Sequence, residues 1–324
     1  MNAYIAGIGS YTPEKILTNF DLEKIVETSD EWIRTRSGIK ERRISAADQP
    51  TSELAAAAAQ KALNAAHTKA SEVEAIIIAT ATPDMFFPST ACLVQTKIGA
   101  RKIISFDISA GCSGWLYALS IANAYIKTGY DNILVIGAEE LSKITDYTDR
   151  GTCVLLADGA GAALLKKTPE ERGILSTYFA ADGSYGDLLY MPAGGTRMPT
   201  TEETVKNRLH YLKMEGNKVF KVAVRAMYES AIKVLGKAKV KTEDIALLVP
   251  HQANIRIIEA TAKRLNISMD KVGINLDRHG NTSAASIPIG LDEAASSGRI
   301  KKGDLVLLVA FGAGFTWGGV LIKW

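Results

Sequence analysis

The chain is poor in the residues that build covalent or metal-held frameworks. It has three cysteines, Cys92, Cys112 and Cys153, and four histidines in 324 residues. Three widely spaced cysteines exclude a disulfide framework and fit a reducing compartment. No CxxC or HExxH spacing is present, so no metal is expected. An excess of one charge is also lacking. The 38 Lys and Arg against 35 Asp and Glu give a net charge of +3, too mild for a nucleic-acid binder although it leaves room for a local basic patch. No apolar run approaches the length that crosses a bilayer. The opening stretch, Met1 to Gly9, is apolar but has no basic segment and soon meets Pro13, so it reads as a first strand rather than a signal peptide. The expectation is a soluble, cytoplasmic protein that engages neither nucleic acid nor membrane. A hydrophobic content of 47% with 23% charged residues supplies core for one large α/β unit or two ordinary domains.

What is present is one cysteine in an unusual setting. An apolar, β-branched segment, Ile103 to Ser109, runs into the turn Gly111-Cys112-Ser113-Gly114. The apolar stretch Trp115 to Ile126 follows at helical length and stops near Gly129. Strand, tight turn and buried helix is the plan of a nucleophile elbow. A thiol at the first turn of a helix meets unpaired N–H groups and the positive end of the macrodipole, which favour the thiolate. Lone cysteines are commonly small buried hydrophobes, and Cys153, in what reads as an apolar strand, fits that description. The turn makes Cys112 the candidate nucleophile.

One plan occurs twice along the chain. Thr51 to Leu63 reads as a helix capped by Thr51 or Ser52, and Ser71 to Ala79 as a turn and a buried strand. Asn217 to Gly236 and Thr242 to Val249 repeat that pair. The segment leading to Cys112 corresponds to a strand, Val272 to Leu276, leading to Gly280-Asn281 and the helix Ser286 to Ser296. Apolar strands at Asn132 to Ile136 and Asp304 to Val309 come next, then Gly-rich hairpins at Asp158 to Leu165 and Gly312 to Ile322. Continuously apolar strands alternating with helices imply sheets covered on both faces. The pattern predicts a duplicated α/β core, in five layers if the halves stack, divided into residues 1–170 and 171–324. Cys112 and Asn281 then stand at equivalent turns that can meet at a common interface.

His251 ends the apolar strand Ile245 to Pro250, at the kind of sheet edge where ligand sites of α/β proteins gather. The helix predicted from Gln252 to Leu265 would keep its imidazole neutral. His67 after a helix, His210 in a polar stretch and His279 in a turn have weaker settings. Asn281 reads equally well as a turn residue or a helix cap.

Taken together, Cys112 in Ser109-Ala-Gly-Cys-Ser-Gly114, His251 in Pro250-His-Gln-Ala-Asn-Ile-Arg256, Asn281 in Gly280-Asn-Thr-Ser-Ala-Ala-Ser286 and the terminal Phe311 to Gly318 stretch resemble the signatures of the β-ketoacyl-acyl carrier protein synthase III family. These are thiolase-fold condensing enzymes that initiate type II fatty-acid synthesis. Asp30 to Arg43 and Thr148 to Thr152 also match, and the resemblance runs from Gly7 to the C-terminus. It implies a thiolase-like duplicated five-layered α-β-α-β-α core and a ping-pong reaction. An acyl group passes from coenzyme A to Cys112, and malonyl-acyl carrier protein then loses CO2 and attacks the acyl-enzyme. The resemblance further implies that His251 and Asn281 stabilise the malonyl oxyanion, while the backbone N–H groups of Cys112 and Ala313 form a second oxyanion hole. It places Trp32 and Arg150 around the adenine of coenzyme A, with Arg36, Thr28 and Asn254 along the nucleotide and pantetheine. Phe87 is implied at the acyl pocket of the opposite subunit, hence a homodimer, and Lys221 and Arg256 in a basic dock for an acidic carrier protein. Acyl-coenzyme A is a substrate in this scheme, and no cofactor is implied. Trp115 and the bulky stretch Asp84 to Phe87 are expected to trim or reshape the acyl pocket.

Other readings stand beside this one. A Cys, His, Asn order occurs in papain-like proteases, but with a different signature around the cysteine. A thiolase would carry a second catalytic cysteine near Phe311 to Gly314, and an elongating condensing enzyme a histidine where Asn281 stands. A non-catalytic acyl-thioester binding protein would take up no covalent acyl group.

Overall fold

The computed structural model describes residues 2–324. Its apolar segments form two sheets. The first contains β1 (Asn2–Tyr11), β2 (Ala75–Ala79), β3 (Ile104–Ile108), β4 (Ile133–Glu140) and β5 (Asp158–Thr168), in the spatial order β1-β5-β4-β2-β3. β2 runs parallel to β3 and β4, whereas β5 is antiparallel to β4 and β1. The second sheet contains β6 (Gly173–Ala181), β7 (Leu247–Pro250), β8 (Leu305–Gly312) and β9 (Thr316–Lys323), in the order β7-β8-β9-β6. Here β7 and β8 are parallel and the other pairs antiparallel. Position for position, β6, β9, β8 and β7 repeat β1, β5, β4 and β2.

Seven longer helices cover these sheets: α1 (Asp30–Ser37), α2 (Thr51–Ala65), α3 (Thr90–Lys97), α4 (Gly114–Lys127), α5 (Gly216–Ala238), α6 (Ile255–Leu265) and α7 (Ser286–Ser296). α4 is apolar on most faces because it lies between the sheets with α7. One core cluster takes Ile77 and Val135 from the first sheet, Leu116 and Leu119 from α4, Ile287 and Leu291 from α7, and Val249 and Leu308 from the second sheet. The alanine-rich face of α2 packs with Ala91 and Val94 of α3 on the outside of the first sheet. Buried residues of α5 and α6 cover the outside of the second. The layers are α-β-α-β-α, as the repeated pattern predicts. No helix among the described residues is long and apolar enough to cross a membrane.

Several local expectations give way to tertiary contacts. Val272 to Leu276 is not a strand; only a single bridge joins Val272 to Leu248. The side chain of Gln252 takes the groups a ladder would need, donating to the Gly273 carbonyl at 3.0 Å and accepting from the Asn275 N–H at 3.1 Å and the Leu276 N–H at 3.3 Å. Neither Thr51 nor Ser52 caps α2. Pro50 holds the cap position, Thr51 donates to the Thr82 carbonyl, and Ser52 is bound through its N–H and its hydroxyl by the carboxylate of Asp84. The helix after His251 starts at Ile255, with Asn254 as its cap. Cys153 is buried core, but in a short helix, Arg150–Cys153, rather than a strand. His279 likewise closes the short helix Leu276–His279.

The middle layer depends on one close crossing. A Cβ on Gly137, in β4, would lie 2.3 Å from the carbonyl oxygen of Ala284 and 3.2 Å from the Ala285 nitrogen. Those are backbone atoms of the turn that follows Asn281, and they cannot swing aside. Gly137→Ala should therefore lower the unfolding free energy by about 1–3 kcal/mol, read from the midpoint of urea denaturation.

Candidate active site

Cys112 lies in a single turn, Gly111–Ser113, between β3 and α4. The turn is pressed against the hairpin joining β8 to β9. A Cβ on Gly111 would approach the Ala313 nitrogen to 2.8 Å, and one on Gly312 would approach the Cys112 nitrogen to 2.4 Å. Only glycine allows both approaches, and they bring the main chains at Cys112 and Ala313 together. The thiol itself departs from expectation. Burial pushes its pKa up to about 12; the Ser283 hydroxyl and a backbone N–H pull it down, and the charge of Glu139 pushes it up further. That direction opposes the thiolate that the start of a helix would favour.

Cys112, His251 and Asn281 all line one cavity of about 710 Å³ between the two halves. His251 follows β7 and is buried, its N–H bonded to the Val309 carbonyl at 2.8 Å and its ring set edge-on to Phe311. Burial lowers its pKa to about 3, so the imidazole is neutral. The predicted neutrality holds, but its cause is desolvation; α6 starts too late to act as the source. Asn281 is fixed by main-chain bonds to both sides of Leu156. Its side-chain oxygen accepts the Ser283 N–H at 2.9 Å, which leaves the amide NH2 for the cavity.

The cavity mouth carries many of the remaining residues. Trp32, Arg36, Lys221, Asn254 and Arg256 line it. Arg150 stacks over the Trp32 ring at 4.7 Å and donates to the Glu27 carbonyl. Asn254 caps α6 and ties it to α1 through a bond to the Arg36 carbonyl at 3.0 Å. The Thr28 hydroxyl, in the loop before α1, is buried with no protein partner. Arg256 extends over the ring of Phe220, next to Lys221. Phe87 stands apart from this cavity, 84% exposed beside Phe86 at 81%. Trp115 does not line this cavity; it is buried between the sheets, its indole N–H directed at the Val135 carbonyl. Asp84 is spent on holding Ser52.

Sequence reasoning missed the polar support behind these groups. Glu139, wholly buried at the end of β4, accepts from the Thr82 hydroxyl at 2.7 Å, the Ala81 N–H at 3.0 Å and the Ser283 hydroxyl at 2.9 Å. Burial raises its pKa. Ser286 reaches Nδ1 of His251 at 2.7 Å. The only signal was the pair of serines three residues apart in the Asn281 turn. Among the described residues, no group of three or more His, Cys, Asp or Glu is placed to hold a metal ion.

The site has two neutral donors and one thiol on a cavity wide enough for a long substrate, which suits acyl transfer and the stabilisation of an enolate-like oxygen. Comparison with known proteins gives a consistent result. Residues 106–183 match the model of 3-oxoacyl-(acyl-carrier-protein) synthase III, and residues 235–324 match that of its C-terminal region. The chain is 58% identical to a β-ketoacyl-(acyl-carrier-protein) synthase III of Caldanaerobacter subterraneus subsp. tengcongensis, over 99% of this chain and 98% of that one. It is 54% identical to the Clostridioides difficile protein of the same name, with the same coverage. The crystal structure of 3-oxoacyl-(acyl-carrier-protein) synthase III from Aquifex aeolicus superposes with a TM-score of 0.92 at 50% identity, over 99% of this chain and all of that one. Identity at half or more of the positions, sustained from end to end with the fold intact, means that the chain belongs to the 3-oxoacyl-(acyl-carrier-protein) synthase III family.

Proposed function

We propose that Cys112, His251 and Asn281 divide the family reaction between two oxyanion sites in one cavity. The chain is an acyltransferase, a condensing enzyme that joins an acyl-coenzyme A primer to malonyl-acyl carrier protein at the start of fatty-acid synthesis. The products are 3-oxoacyl-acyl carrier protein, CO2 and coenzyme A. What carries the residue assignment is the meeting of the three side chains on one cavity, with both donors neutral and the Asn281 amide turned toward it.

In the first half-reaction the Cys112 sulfur bonds to the acyl carbon, the bond to the coenzyme A sulfur breaks, and the thiol proton ends on coenzyme A. The backbone N–H groups of Cys112 and Ala313 receive the tetrahedral oxyanion. In the second, the malonyl carboxylate leaves as CO2 and its electron pair moves onto the thioester carbonyl. His251 and Asn281 stabilise that oxygen; the carbanion carbon then bonds to the acyl carbon, the acyl bond to the Cys112 sulfur breaks, and the departing thiolate takes a proton from solvent. A neutral imidazole and an amide suit this step, since each donates to the oxygen without giving up its proton. The thioester carbonyl accepts the electrons throughout, so acyl-coenzyme A enters as substrate and no cofactor is required.

The rim supports the finer assignments. Trp32 and Arg150 form a stacked platform for the adenine, and Arg36, Thr28 and Asn254 follow the nucleotide and pantetheine toward Cys112. Exposed Phe86 and Phe87 and the unpaired edge of β3 support a homodimer in which Phe87 closes the partner's acyl pocket. Residues 1–170 and 171–324 are the duplicated units. Exposed Lys221 and Arg256 form a basic dock for an acidic carrier protein, and the setting is cytoplasmic.

Three measurements check these roles. Intact-mass analysis after incubation with acyl-coenzyme A should show one acyl group on the wild type and none on Cys112→Ser; the single-turnover acylation rate should climb by about tenfold per pH unit between about pH 7 and 9, because the thiol titrates above that range. His251→Ala and Asn281→Ala should each raise the barrier to malonyl decarboxylation by about 2.7–4 kcal/mol while slowing acylation less, read as CO2 release against acyl-enzyme formation. Arg256→Glu should raise the KM for malonyl-carrier, leave that for acyl-coenzyme A unchanged, and weaken the salt dependence of the carrier step.

A further inference from the structure

A neutral imidazole has two faces. One ring nitrogen carries a proton and donates; the other accepts. His251 can stabilise an oxyanion only if the proton sits on the nitrogen that faces the cavity. The hydrogen bonds behind the ring decide which it is.

Nδ1 of His251 meets the Ser286 hydroxyl at 2.7 Å, and both residues are buried. That hydroxyl already accepts the main-chain N–H of Gln252 at 3.3 Å. A hydroxyl has a single proton. If Nδ1 were protonated it would also donate to Ser286, and the serine proton would be left buried without an acceptor, since Ser286 makes no other side-chain bond among the described residues. If Nδ1 is bare, the Ser286 O–H donates to it, and both Ser286 and Gln252 are satisfied. We propose that Ser286 is a positioning residue that holds His251 as the Nε2–H tautomer, so that the ring presents a donor to the cavity rather than an acceptor. Ser283 acts on Asn281 in the same sense, its N–H taking the amide oxygen at 2.9 Å. One short segment, Asn281 to Ser286, thereby polarises both donors.

This inference rests on the decarboxylation role proposed for His251, but the tautomer is readable without turnover. Long-range proton–nitrogen correlation on the intact protein labelled with 15N-histidine is expected to show His251 protonated at Nε2 and bare at Nδ1 at neutral pH. In Ser286→Ala the two tautomers should mix. CO2 release from malonyl-carrier should fall about tenfold, as expected for the loss of one neutral hydrogen bond, while single-turnover acylation of Cys112 stays at the wild-type rate. Ser286→Thr, which keeps the hydroxyl, should recover most of the lost rate. A wild-type spectrum with the proton on Nδ1 would overturn the proposal whatever the variants do. So would a folded Ser286→Ala that loses both half-reactions in parallel or loses neither. An Nε2–H spectrum together with undiminished decarboxylation in His251→Ala would uphold the tautomer and remove instead the role assigned to the ring.

Discussion

Two backbone contacts, Gly137 with Ala284 and Gly312 with Cys112, bring the halves of the fold close enough for one cavity to be lined from both. Each lacks room for a methyl group, and each fixes a turn that carries chemistry. The first sets the segment after Asn281 against the end of β4; the second sets the nucleophile's main chain against the β8–β9 hairpin. A shift of an ångström at either place would separate groups that the proposed reaction needs on one cavity, and reaction rates are steep in such displacements. Packing in the middle layer and geometry at the site are therefore one constraint.

The duplicated plan and its five layers were legible because they are written in long-range periodicity. Continuous apolar strands such as Ala75–Ala79 and Leu247–Pro250, together with a helix, Gly114–Lys127, that is apolar on most faces, leave few arrangements in which every face is covered. The setting of Cys112 was legible for a similar reason: strand, glycine turn and buried helix is local and strongly patterned. Asn281 was not, standing alone; it became readable through its resemblance to a family motif, and its orientation became visible only in the bond from Ser283.

What escaped the sequence shares a cause. The strand expected at Val272 to Leu276 fails because a side chain from elsewhere, Gln252, claims its hydrogen-bonding groups. The cap expected at Thr51 or Ser52 fails because Asp84 and the Thr82 carbonyl reach in from a distant loop. Trp115 turns into the core instead of the cavity because α4 presents that face to β4. Burial opposes the pull of helix position on the Cys112 thiol for the same reason, since helix position is local and desolvation is not. In each case a partner far away in the chain overrides a correct local tendency.

The loss of that one strand has an effect on how copies of the chain can meet. The first sheet keeps β3 at its border with one side unpaired, whereas the equivalent border of the second sheet is sealed by Gln252 and the Val272 bridge. A repeat that had stayed symmetrical would offer two matching borders, and strand-to-strand addition could then continue from chain to chain as a fibre. With one of the two sealed, β3 has no matching border on the second sheet. Divergence after duplication has thus left the two halves with unlike edges, one open and one closed by a side chain.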